Sequence, residues 1–476
     1  MVVIYNFQDI FEESSKVSMF TLPTHKENNL KLEYENLDNV TTLSTVFRAQ
    51  ESSLPFAASD VFYANICDHR RLTAIDDGCK AVYEITFDIA VIGSNFNFRP
   101  GDTIGIIPHN TSEDINLITD RLNLSTQLNV PYKLSCIVNQ KGVKIPANIP
   151  VKSTLKHVLE YCVDLRSVVK KLFLFALSSY TKDENERRVL EYMCSKEGSV
   201  AYNTHILNHG VCILDIFAMF KSCKPPIEVL LSHLPRLLPR PYSIINTNIK
   251  DRNTLKICFS VITLNKNRKG LTTGWLEEMI LRNSNIENQM ENLSINDNIN
   301  NKVPIYLRKN LSGFSLPINN ETPLLMIGPG TGISPYMGFL EERQYIKEKY
   351  SQTNMGFAWL FFGCRNPSLD FIYEQELKTF QENGSLNKLS TAFSRVKDCG
   401  SKYIQDILIE NGEDIIKLIK DGASIFVCGD LKNMGTQVKD TIKKCIMKHD
   451  NKSAEEAEKI LSDMQKEKRY LIDSWN

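Results

Sequence analysis

The chain has 476 residues, 42% of them hydrophobic, with 56 Lys+Arg against 56 Asp+Glu, enough for two or three domains and a sizeable core. The charge balance points to neither nucleic acid nor an anionic membrane, no stretch nears the ~18 apolar residues of a membrane span, and MVVIYNFQDIFEESS lacks a signal peptide's basic start and cleavage site. The twelve cysteines are scattered without a C-x-x-C pair, so no metal site and no disulfide framework is expected, and a reducing, cytoplasmic setting is.

In chain order, residues 1–55 are rich in Asn, Ser, Thr and charge and contain no glycine, which predicts a linker or partly ordered arm; the alternative is a short packed element at VVIYNF. Residues 56–110 carry strand-like runs around the turn Arg99-Pro100-Gly101-Asp102, predicting the first part of an antiparallel β-barrel. From 111 to 224 the apolar residues of STLKHVLEYCVDL, RSVVKKLFLFALSSY and ILDIFAMF recur at three and four, predicting a helical connecting insert. RPYSIINT and LKICFSVITL return to strand patterning, so 225–320 reads as the second part of the barrel. Within it, 281–302 holds eight asparagines and reads as a low-complexity loop. From 321 to 476 the strand-like runs PLLMIG, WLFFGC, LSTAFS and SIFVCG alternate with helices, predicting a doubly wound parallel α/β domain, with SAEE at 453–456 as a capping box.

Four motifs carry chemistry. GPGTGIS, 328–334, leaves a strand for a helix, where backbone N–H groups at Gly330 and Thr331 approach a pyrophosphate; otherwise it is a tight turn. Ser394 and Arg395 end LSTAFS and precede Lys402, Tyr403 and Gln405, a set suited to a phosphate monoester. No acidic residue stands there for a free ribose 2′-hydroxyl, so the expected dinucleotide is NADPH. In RPYS, Arg240 suits a flavin pyrophosphate and Tyr242 a stacked isoalloxazine, with Pro241 and Ser243 completing the strand. Gly270, Leu271, Thr272 and Thr273 would give N–H groups and hydroxyls to the same phosphates. Each is bland alone, since a strand tyrosine usually packs a core. Cys428 in SIFVCGD is, taken alone, a small buried hydrophobe.

RPYS, GLTT, GPGTGISP, FFGCRNPSLDFIYEQEL, AFSR, CGDLKNM and a Trp near the end follow the order found in diflavin reductases, and the chain resembles that family over roughly residues 56–476. RKGLTTGWL, MCSKEG, SCKPPIEVLLSHLPRLLPRPYS, SKYIQD and KEKRYLIDSWN resemble the branch that serves methionine synthase. The resemblance implies an FAD-binding barrel with a helical insert, an NADPH-binding domain, and hydride transfer from NADPH to FAD. Trp475 would cover the flavin ring and Tyr242 its other face. Ser243, Cys428 and Asp473 would form the polar cluster on the hydride path. Thr331, Ser394, Arg395, Lys402, Tyr403 and Gln405 would hold NADPH, with Arg70 or Arg71 assisting.

The chain departs from the family at Gln437, another expected NADPH contact, where Asp is usual, and at Leu264, where an aromatic covers the adenine. The glycine-free 1–55 offers no flavodoxin phosphate loop. FMN is therefore expected on a flavodoxin-like partner, or on a further domain if the sequence is part of a longer protein. Three functions follow as expectations: reductive reactivation of cob(II)alamin methionine synthase, electron supply to a cytochrome P450-type acceptor, or a non-catalytic binding protein for methionine synthase. Intact Ser243, Cys428, Asp473 and Trp475 speak against the last.

Overall fold

The computed structural model describes residues 7–24, 29–35, 54–76, 78–91, 96–137, 144–264, 268–287, 302–350, 352–396, 400–429 and 434–474. The chain divides into two compact units, Met1–Leu54 with Pro108–Pro239 and Ile262–Gly274, and Pro55–Ile107 with Arg240–Val261 and Trp275–Asn476.

The second unit holds two sheets. The first has six antiparallel strands in the order Arg240–Ser243, Thr103–Ile106, Lys302–Leu307, Phe62–Arg71, Val82–Asp88, Thr254–Ser260. A bridge between Ile244 and Ile257 joins the two edges, so the sheet closes as a barrel and leaves few unpaired edge groups. Alternation puts Ile85, Phe87, Ile104, Ile106, Ile257 and Ile305 inside, all fully buried. The expected turn is present: Asp102 N–H donates to Arg99 O at 3.0 Å. Gly101 there has φ +92°, and a Cβ on it would stand 2.0 Å from the Phe314 carbonyl oxygen, so only glycine fits.

The second sheet is fully parallel, in the order Lys388–Phe393, Ala358–Cys364, Leu324–Ile327, Ser424–Gly429, Tyr470–Ser474. Its three inner strands are near-continuous apolar runs because both faces are covered. One face packs with Phe339, Leu340, Leu377 and Phe380, the other with Ile407, Ile416, Ile442 and Leu461. This is the doubly wound arrangement expected. The Ser453 capping box forms, its hydroxyl accepting from Glu456 N–H at 3.1 Å. The strand Tyr470–Ser474 was not expected; RYLIDS pairs in parallel with Ser424–Gly429.

The first unit is mainly helical, with Ser112–Leu122, Lys171–Ser178, Glu184–Cys194, Ile213–Met219 and Ile227–His233 around one apolar core. Three expected spans differ in the structure. Residues 225–239, read as barrel, contain the helix Ile227–His233 and belong here, as does the hairpin 262–274. The arm expected over 1–55 contains a helix, Phe7–Ser15, and a strand, Leu30–Tyr34. Ile10 and Leu30 are buried in the helical core, and the strand joins Pro131–Cys136 in a three-stranded antiparallel sheet. Burying one such side chain stabilises by about 1.5–3 kcal/mol, and Phe7, Phe11, Leu32 and Tyr34 pack against the same core. Of VVIYNF, only Phe7 lies within the described residues, packed edge-on against Phe220. The Asn-rich loop begins later than expected, since Leu271–Glu287 is helical; 288–301 lie outside the described residues.

Candidate active site

The carboxyl ends of the parallel strands and the strand Arg240–Ser243 bring three expected residues of the second unit together. Cys428 and Asp473 are register partners on adjacent parallel strands. Ser243 ends its barrel strand, is buried, and donates its hydroxyl proton to Asp473 Oδ2 at 2.9 Å. The Cys428 thiol lies 4.0 Å from the same oxygen, at the outer limit of an S–H···O contact.

Burial pushes the Asp473 carboxyl above the usual carboxylate range, while the Ser243 hydrogen bond and the Arg308 guanidinium pull it back. Burial, together with the Asp473 charge, holds the Cys428 thiol well above its ordinary value and therefore neutral. The cluster thus consists of one carboxylate with two neutral donors beside it.

Two contributors escaped the sequence reading. Arg308 follows the strand Lys302–Leu307, and its charge favours the ionised form of Asp473. Tyr336, fully buried in the helix Ser334–Lys349, donates to or shares its hydroxyl with the carbonyls of Ile327 and Phe426, each at 2.9 Å. It ties the end of the strand Leu324–Ile327 to the middle of the strand Ser424–Gly429. An isolated Arg after a strand and a Tyr among the apolar residues of a helix start carry no motif, so neither stands out in the sequence.

GPGTGIS leaves the strand Leu324–Ile327 as a short 3₁₀ turn, Gly330–Ile333, ahead of the helix Ser334–Lys349, whose first turn holds Pro335. A Cβ at Gly332 would stand 2.4 Å from the Cys428 carbonyl oxygen, so this glycine lets the loop lie against the cysteine strand. Gly330 has φ +54° with nothing within 4 Å of a Cβ, so open space stands over the backbone there. Thr331 beside it is partly exposed. Such a cradle fits a dinucleotide pyrophosphate.

Ser394 and Arg395 follow the strand Lys388–Phe393, and their N–H groups donate to Cys364 O at 3.0 Å and Arg365 O at 2.9 Å. Arg395, Lys402 and Tyr403 are exposed. Asp406 Oδ2 accepts from the backbone N–H groups of Lys402 and Tyr403, fixing the start of the helix Ile404–Glu410. Gln405 Nε2 donates to Gln437 Oε1 at 2.7 Å, so two of the expected dinucleotide residues meet across neighbouring helices. Arg70 lies in the strand Phe62–Arg71. Its guanidinium pairs with Glu84 at 3.0 Å and Glu376 at 2.5 Å and lies over the Tyr373 ring.

Tyr242 packs edge-on against Phe259, with ring centroids 6.3 Å apart, and Arg240 and Pro241 are partly buried. Gly270–Thr273 belongs to the first unit. There Thr272 is buried and its Oγ1 is a buried polar atom with no hydrogen-bond partner, an arrangement that suits an acceptor supplied by a bound anion. Leu271 is buried beside it. Leu264 is exposed, and Trp475 lies outside the described residues. Among the described residues no helix is long and apolar enough to cross a membrane.

The family model described as FAD binding domain matches residues 54–275, and that described as oxidoreductase NAD-binding domain matches 326–440. The chain is 34% identical over 441 residues to methionine synthase reductase of Rattus norvegicus, covering 90% of this chain and 62% of that protein. The two matches together show an FAD-binding domain followed by an NAD-binding oxidoreductase domain. Methionine synthase reductase of Homo sapiens is 34% identical over 444 residues, covering 90% of this chain and 63% of that protein. NADPH–cytochrome P450 reductase of Sus scrofa is 28% identical over 471 residues, covering 98% and 65%. The chain thus spans less than two thirds of the length of these diflavin reductases.

Proposed function

We propose that the chain is the NADPH-oxidising, FAD-binding reductase part of a diflavin electron-transfer system, and that its end use is the reductive reactivation of methionine synthase. The observation that carries the first half is the Ser243–Asp473–Cys428 cluster beside the glycine-rich loop. The second half rests on similarity to proteins named methionine synthase reductase. FAD, when bound, supplies the conversion of a two-electron hydride donor into single electrons.

The residues present fit that group, and each has a task. Arg240 and Gly270–Thr273 are the expected holders of its pyrophosphate, and Tyr242 and Trp475 of its ring. Gly330 and Thr331 take the dinucleotide pyrophosphate, and Gln437 lies in the same domain. Ser394, Arg395, Lys402, Tyr403 and Gln405 take the 2′-phosphate, where a guanidinium and a hydroxyl give charge-assisted hydrogen bonds. Asp473 stabilises positive charge developing on a nicotinamide, and Ser243 holds the carboxylate oxygen in place. Cys428 stays protonated and presents a neutral donor. The electrons leave to an FMN-bearing, flavodoxin-like protein or domain.

Stopped-flow absorbance of the FAD-loaded chain mixed with NADPH tests this reading. Rapid bleaching of the flavin, ferricyanide turnover, and reactivation of methionine synthase only when a flavodoxin is added are the expected results. An oxidised flavin after mixing would overturn the reductase reading. Turnover that feeds a P450 and never methionine synthase would overturn the acceptor.

A further inference from the structure

Two arginine–aspartate pairs in the helical unit converge on the residues that enter Gly270–Thr273. Arg268 reaches Asp215 with both ends of its fork, Nη2 to Oδ1 at 2.7 Å and Nη1 to Oδ2 at 2.9 Å. Asp215 is itself fixed, because Oδ2 also accepts the Cys212 N–H at 3.0 Å at the start of the helix Ile213–Met219. Arg166 donates Nε to Asp114 Oδ2 at 2.6 Å and Nη1 to the Lys269 carbonyl at 2.8 Å. Asp114 lies in the first turn of the helix Ser112–Leu122, whose cap Thr111 accepts the Asp114 N–H at 3.2 Å. Both carboxylates are thus mounted on helix starts, where orientation is set by backbone.

The peptide joining Lys269 to Gly270 is held at both ends. Its carbonyl accepts from Arg166, and its N–H donates to Ile262 O at 2.7 Å. The Thr273 hydroxyl oxygen accepts the Ile262 N–H at 3.2 Å, while the neighbouring Thr272 hydroxyl is buried without a partner. The hairpin itself is only Thr263–Leu264 against Arg268–Lys269, far too short to hold this shape alone. Each guanidinium faces a carboxylate, so the two pairs add little net charge. What they add is geometry.

We propose that Arg166 and Arg268, with Asp114 and Asp215, are positioning residues: they preset the Gly270–Thr273 segment, through the Lys269–Gly270 peptide, to receive an anionic pyrophosphate. The helical insert thereby sets flavin affinity. Ordering this segment before binding removes an entropy cost that the ligand would otherwise bear. The inference rests on the reading of 270–273 as a pyrophosphate segment.

The test uses the full chain freed of flavin, with Arg166→Lys, Arg268→Lys and Thr272→Val. FAD affinity is titrated by flavin fluorescence, and trypsin cleavage after Lys269 is timed by mass spectrometry. Both arginine variants keep the charge and lose the fork. Each is expected to raise the FAD Kd about tenfold or more and to speed cleavage after Lys269 relative to other sites. Thr272→Val is expected to raise the Kd without changing cleavage. Arginine variants that melt earlier yet bind FAD as the wild type does, beside a weakened Thr272→Val, would overturn the positioning role and leave the pyrophosphate reading standing. If Thr272→Val also binds normally, the pyrophosphate reading itself falls. Should Arg268→Lys not fold, Arg166→Lys carries the test, since Arg166 Nη1 donates directly to the Lys269 carbonyl.

Discussion

Ser243 and Asp473 are 230 positions apart in the chain and joined by a 2.9 Å hydrogen bond from hydroxyl to carboxylate. One ends a strand of the antiparallel barrel and the other sits in an edge strand of the parallel sheet. The bond fixes the carboxylate against a cysteine strand that also backs the glycine-rich loop.

Replacing Asp473 by Asn keeps the size and removes the charge. NADPH-driven flavin reduction, followed by stopped flow, is expected to slow by about 10²–10³-fold, the usual effect of deleting one electrostatic contributor. The pH dependence has a definite sign. Because burial raises the folded-state pKa of Asp473, the folded chain holds this proton more tightly than the unfolded chain. The ionisation cost is absent below the ordinary carboxylate range and fully present above the raised value. Asp473→Asn should therefore melt higher than wild type at pH 8, with the gap closing toward pH 4. The flavin-reduction rate of the wild type should fall as pH drops through the raised value. A wild-type rate flat across that range would count against the assigned role.

Gly330 and Gly332 separate two kinds of glycine. Ala at Gly332 meets a backbone oxygen and should lower stability by about 1–3 kcal/mol in thermal or denaturant melts. Ala at Gly330 meets nothing and should cost only about 1 kcal/mol, from its positive φ. If the open space above Gly330 receives a dinucleotide, Gly330→Ala should still raise the NADPH KM about tenfold. An unchanged KM would place the cofactor elsewhere.

Arg395→Ala should raise the NADPH KM about 10–100-fold, the equivalent of one charge-assisted hydrogen bond of about 1.5–3 kcal/mol. The NADH KM should stay where it was. Steady-state kinetics with both cofactors decide it, and equal rates of the wild type with the two would remove the phosphate role from Arg395.

The parallel domain was legible because PLLMIG, WLFFGC and SIFVCG are apolar runs closed by turn signals, a pattern local to each strand. The strand Leu30–Tyr34 was not, since its partner lies 100 residues on and LKLEY carries little apolar weight of its own. Tyr470–Ser474 was hidden differently: its interest lay in Trp475, and nothing in RYLIDS marks it as a fifth strand. The helix Ile227–His233 sits just before RPYS, and a motif on one side drew the boundary too early. At the site, Ser243, Cys428 and Asp473 were nameable through their resemblance to a family. Arg308 acts only through space on Asp473, and distance in space leaves no trace in a single sequence.

The bond between Ser243 and Asp473 also joins the two sheets of one unit, and it behaves unusually under acid. A hydroxyl can give or accept, and a protonated carboxyl becomes a donor. A bond between the two groups can therefore persist after acidification, with either group as the donor. The link between the sheets can thus outlast the carboxylate's charge, and activity lost at mildly low pH is expected to return at neutrality, as an assay before and after the acid step would show.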